Sequence, residues 1–100
     1  MNRLPDLRRR IDLIDDQLVA LLNARADLAL QVGRIKHEAG EAVYQPAREA
    51  EVLAHVREIN RGPLDGGAIT RLFERVIDEN RRLERQADAA RARESQERGE

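Results

Sequence analysis

Along the first forty residues the hydrophobic positions recur in alternating steps of four and three: Leu7, Ile11, Ile14, Leu18, Leu21, then Arg25, then Leu28, Val32 and Ile35. That spacing puts all nine on one stripe of an α-helix. Pro5 and Asp6 suit a first helical turn and Gly40 suits the position just past the end, so the pattern predicts a long first helix over about 5–39. At 1.5 Å per residue it would be about 54 Å long, whereas a compact chain of this length has a radius of gyration of about 13 Å. Such a helix overshoots a monomeric globule, and its seam needs cover from a second chain. The expectation is an obligate, intertwined homodimer.

A second helix is predicted over about 46–60, opened by Pro46, with Val52, Leu53, Val56 and Ile59 on one face and "NRGP" after it. A third is predicted over about 66–90, with Asp65 as its cap and Ile69, Leu72, Phe73, Val76, Ile77, Leu83 and Ala87 turned inward. Residues 87–100, "ADAARARESQERGE", carry charge and alanine without an apolar stripe and read as frayed helix passing into disorder. The chain is thus expected to be all-α, one helical domain over 1–86 followed by a charged tail.

One seam position is not apolar. A guanidinium does not shed its proton, and leaving it buried without a partner costs several kcal/mol, so Arg25 demands an anionic partner, either a side chain or a ligand. Lys36 follows eleven residues later, a net rotation of about 20° and a rise of roughly 16 Å, which puts both cations on nearly one face. Arg48 and Glu49 occupy the first turn of the second helix. Asn80 replaces an expected apolar residue on the third, and Glu84 lies one turn further on the same side. Singly, each has an ordinary structural explanation: Arg25 paired with Glu49 or Glu84, Lys36 extending its amine to water, Asn80 fixing register. Jointly, polar groups from three helices beside an apolar seam point to an anion pocket.

Composition removes other chemistries. With no cysteine there is no thiolate or disulfide, and His37 and His55 have no ligand-like spacing, so neither metal nor cofactor is expected. A net charge of -1 offers no general attraction to nucleic acid. No apolar run approaches a membrane span or resembles a signal peptide, and a cytoplasmic protein is the expectation.

The segments "LRRRIDLIDDQLVALLNAR", "VGRIK", "PAREAEVL" and "ITRLFERVIDENRRLE" together resemble the all-helical class of chorismate mutase, over residues 4 to about 86. "YQPARE" and "NRGPL" are also similar to mutase domains fused to the synthase of the first shikimate-pathway step. The resemblance implies a place in aromatic amino-acid biosynthesis, a candidate synthase partner and three helices per chain dimerised through the first. It implies substrate binding by Arg8, Arg25, Lys36, Gln45, Arg48, Glu49 and Asn80, with Lys36, Arg48 and Glu84 acting on the reacting atoms. Three positions depart from the common pattern: Gln45 stands where aspartate is frequent, Asn80 where serine is familiar, and Glu84 where glutamine is frequent.

The implied reaction, chorismate to prephenate, is an intramolecular pericyclic rearrangement that needs no nucleophile, metal or cofactor. It asks that a dianion be held compact and that charge developing on the breaking ether oxygen be stabilised. Arg8 and Arg25 would clamp the carboxylates, Lys36 would reach a carboxylate and the ether oxygen, Glu49 would accept from the ring hydroxyl, and Glu84 would donate to the ether oxygen only when protonated. Arg8 lies seventeen residues before Arg25, about 25 Å along a straight helix, so it would have to come from the other chain. Two other functions fit the same residues: an isochorismate pyruvate-lyase on the same fold, and a non-catalytic helical regulatory or dimerisation module of a pathway synthase.

Overall fold

The computed structural model describes residues 3–99, and among them the chain is three α-helices: α1 (Leu4–Glu38), α2 (Pro46–Ile59) and α3 (Gly66–Glu97). Proline sits in the first turn of both α1 and α2, where its missing N–H leaves no helical bond unmade. Asp65 caps α3, its carboxylate accepting from the Ala68 N–H at 2.7 Å. Gly40 turns the chain out of α1 at a φ of +73°, a conformation costly for any residue with a Cβ. Between α2 and α3, the Asn60 side chain donates to the Leu64 carbonyl and accepts from the Gly62 N–H, fixing the turn.

α3 packs against both other helices, while α1 and α2 do not pack against each other. The groove between α1 and α2 is therefore floored by α3. Small side chains allow the α1 approach: Ala26 and Ala29 are half-buried, and Gly33, the buried residue of α1, lies against Glu84 of α3. Within the described residues only Val56 and Ile77 are buried hydrophobics.

The seam read from the sequence is where its periodicity put it, but no second element of this chain covers it. Leu7, Ile11, Ile14, Leu18, Leu21, Leu28, Val32 and Ile35 are all exposed, and the molecule extends 69 × 28 × 15 Å with a radius of gyration of 18.2 Å. Leu72 and Leu83, expected to face inward, are exposed as well, as is Ile59 at the end of the α2 face. α3 also outruns its expected end near residue 90, continuing to Glu97. Its last turns are built of alanine, arginine, glutamate and glutamine, which favour helix without an apolar stripe. They are further held by an Arg91–Asp88 ion pair and by Asp88 lying 3.6 Å from His37 Nδ1 on α1.

Candidate active site

A cavity of about 300 Å³ opens in the groove between α1, α2 and the α1–α2 connection, over α3. Its walls include Leu28, Val32, Val52 and Ile77, and its polar groups come from every element. Arg25 and Lys36 enter from α1, Gln45 from the connection, Arg48 and Glu49 from the first turn of α2, and Asn80, Arg81 and Glu84 from α3. Seven of the eight residues singled out in the sequence thus line one cavity.

Arg25 answers the question raised by its place on the seam. Its guanidinium donates to Asn80 Oδ1, a neutral acceptor that is itself buried. Among the described residues no carboxylate lies within 4 Å of it. The charge is oriented but not neutralised, which suits an anionic ligand better than a structural pair.

Lys36 reaches the same cavity about three turns further along α1. Its Nζ lies 3.0 Å from Glu84 Oε2 and donates to the Val43 carbonyl at 3.2 Å, so the amine is held between α3 and the connection. Both side chains are largely buried. Glu84 Oε2 is close enough for attraction but accepts no well-directed hydrogen bond. Glu84 owes its depth to Gly33, because a Cβ on residue 33 would stand 2.9 Å from Glu84 Cγ.

The α2 side is more open. Arg48 is exposed and pairs with Glu51 at 3.3 Å. Gln45, half-buried, donates to Glu41 and to the Ala42 carbonyl. Glu49 lies 3.5 Å from Arg81 Nε, and the Arg81 guanidinium covers the Tyr44 ring at 5.1 Å from its centroid. Sequence reading passes over Arg81. The signal is present, since Ile77, Asn80, Arg81 and Glu84 form one i, i+3, i+4, i+7 row that faces the groove.

Arg8 is the eighth residue, and this chain does not bring it to the cavity. It is exposed near the start of α1, seventeen residues from Arg25 along an unbroken helix. Of the four lining cations, Lys36 lies beside Glu84, Arg48 beside Glu51 and Arg81 beside Asp78 and Glu49, so among the described residues Arg25 is the one that faces the cavity with no carboxylate within 4 Å. Among the described residues no cluster of His, Asp or Glu has the arrangement of a metal site, and no helix is long and apolar enough to cross a membrane.

A family model described as chorismate mutase type II matches residues 7–85. The chain belongs to that family. Among curated chorismate mutase relatives it is 42% identical over 81 residues to a bifunctional chorismate mutase/prephenate dehydratase of Pseudomonas aeruginosa, aligning 76% of this chain with 22% of that protein. It is 28% identical over 87 residues to a chorismate mutase of Methanocaldococcus jannaschii, covering 86% of this chain and 88% of the relative. The chain thus spans about a fifth of the length of the bifunctional relatives it matches and most of the shorter one. Among solved chorismate mutase structures, the form II structure from Thermus thermophilus superposes with a TM-score of 0.82 at 32% identity, over 84% of this chain and 96% of that one. A Helicobacter pylori chorismate mutase in complex with prephenate superposes with a TM-score of 0.77 at 32% identity, over 84% and 91%. The Pseudomonas aeruginosa relative joins chorismate mutase to prephenate dehydratase in one chain.

Proposed function

We propose that this chain converts chorismate to prephenate in the cavity between α1, α2 and α3, as a homodimer whose two sites are each completed by Arg8 of the partner subunit. The observation that carries this reading is the Arg25 guanidinium, fixed in a largely apolar groove by a neutral amide and left without a carboxylate. The exposed apolar seam of α1 supports the dimer, since a contiguous stripe of this length is not left to water by a stable soluble domain. An antiparallel partner helix on that seam would bring its own N-terminal half alongside Arg25.

The rearrangement breaks the ether C–O bond and forms a C–C bond within one molecule, with no net proton transfer. The enzyme's task is therefore positional and electrostatic. Arg25 and Arg8 of the partner subunit hold the two carboxylates so that the side chain folds over the ring. Lys36, already poised between Glu84 and the Val43 carbonyl, turns its ammonium toward the ether oxygen, where negative charge grows. Glu84, whose carboxyl stands beside that ammonium, donates to the same oxygen when it carries a proton. Arg48 adds positive potential, Gln45 and Asn80 supply neutral polar contacts, and Glu49 accepts from the ring hydroxyl. Val32, Val52 and Ile77 exclude water and strengthen each of these interactions.

A rigid bicyclic ether carrying two carboxylates, shaped like the compact transition state, tests the reading by titration. It should bind at least about tenfold more tightly than chorismate, and Arg25→Ala should abolish that preference. Equal binding of the two compounds would remove the proposed function.

A further inference from the structure

Arg81 sits where three separate parts of the site meet. It leaves α3 one residue after Asn80, places its guanidinium over the face of Tyr44 in the α1–α2 connection, bonds Asp78 on its own helix, and brings Nε to 3.5 Å from Glu49 Oε2 on α2. The side chain is four-fifths buried, and Nε makes no hydrogen bond. Because α1 and α2 do not touch, the α2 wall of the cavity is located only by α3 and by the connection. Arg81 spans both.

The 3.5 Å separation matters chemically. It lies at the limit of a hydrogen bond but well within the range of charge attraction, so the guanidinium restrains the Glu49 carboxylate without occupying its acceptor positions. Arg81 is at the same time engaged by Asp78 at 2.5 Å and by the Tyr44 ring at 5.1 Å from its centroid. A glutamate in the first turn of a helix, partly exposed and with several rotatable bonds, would otherwise point into water for much of the time.

We propose that Arg81 is a positioning residue that holds Glu49 inward as a free acceptor, so that the Arg81–Tyr44–Glu49 arrangement makes the site selective for a ring that carries a hydroxyl. This rests on the functional reading above, in which Glu49 receives the ring hydroxyl. A hydroxyl bound equally in the ground and transition states affects KM rather than kcat. An acceptor built for a hydroxyl also discriminates against ligands without one.

The test uses two dicarboxylate cyclohexadiene ligands, alike except that one carries the substrate's ring hydroxyl and the other has hydrogen there, titrated into the wild-type, Arg81→Met and Tyr44→Leu proteins. Wild type should prefer the hydroxylated ligand by at least about tenfold. Arg81→Met should bring the two dissociation constants within about threefold by weakening only the hydroxylated ligand, and should raise KM with kcat little changed. Tyr44→Leu alters an exposed side chain, so it should fold normally, and it should lose part of the preference. A preference retained in both variants overturns the proposal, as does an equal loss of both ligands, which would make Arg81 a general cation or a structural prop. If the wild-type chain binds neither ligand, the functional reading falls first and this inference falls with it; if it binds both but without preference, only the role of the Arg81–Glu49 pair is lost.

Discussion

Gly33 on α1 faces Glu84 on α3 with no room between them: a Cβ at residue 33 would stand 2.9 Å from Glu84 Cγ and 3.3 Å from Cδ. Glycine in mid-helix costs about 1 kcal/mol relative to alanine. Here it lets α3 approach until the Glu84 carboxyl lies beside Lys36 Nζ. Gly33→Ala gains helix propensity but must push the middle of the Glu84 side chain, which cannot swing aside as a flexible end would. Overpacking of this kind costs about 1–3 kcal/mol. The expected outcome is a thermal midpoint no higher than that of wild type and kcat lowered roughly tenfold, each kcal/mol or so of misplacement near the ether oxygen being worth about that factor. Circular dichroism melts beside steady-state kinetics check it.

Arg25 and Asn80 should behave as a pair in stability but not in activity. Arg25→Leu leaves the Asn80 carbonyl oxygen buried without its donor, at a cost of about 1–3 kcal/mol. Replacing both residues by leucine removes donor and acceptor together, and such a swap is close to neutral or stabilising. The double variant is therefore expected to melt above Arg25→Leu while remaining at least about a hundredfold below wild type in kcat/KM. Recovery of activity along with stability would show Arg25 to be a structural group.

Much of the fold and most of the site are legible in the amino-acid pattern. The four-three repeat defines α1, and the two prolines and Asp65 mark where the helices begin, because backbone chemistry at a helix start is local. Arg25, Lys36, Asn80 and Glu84 can be grouped because helical rotation alone relates residues on one helix. Arg81 escapes because its importance lies in Tyr44 and Glu49, which only the fold brings to it. The end of α3 is misplaced for a related reason. Periodicity reports burial, and residues 87–97 stay helical through propensity and an ion pair rather than through a buried stripe. Arg8 stands out only through family resemblance, and among the described residues none pairs with it.

Subunit exchange tests the shared site. Arg8→Ala and Arg25→Ala homodimers should each be nearly inactive. After mixing under conditions that allow exchange, half of the heterodimer's sites draw both arginines from undamaged copies, so activity should return to a substantial fraction of wild type. Exchange demonstrated by mass, with no recovery of turnover, would contradict assembly of the site across two chains.

Glu84 is tested by replacement. In the proposed reading it donates to the ether oxygen, and Glu84→Gln carries a permanent donor of the same shape at that place. The glutamine variant should keep or raise kcat/KM, whereas Glu84→Ala should lower it at least about tenfold. A glutamine variant as damaged as the alanine variant in steady-state kinetics would take Glu84 away from the ether oxygen.

The most direct measurement follows the fate of chorismate itself, with products resolved by nuclear magnetic resonance while its absorbance declines. The proposed rearrangement forms a C–C bond as the ether C–O bond breaks and keeps every atom of chorismate in one molecule. Each molecule of chorismate consumed should therefore yield one of prephenate, with no pyruvate released. Pyruvate among the products, or no consumption of chorismate by the folded protein, would contradict the account.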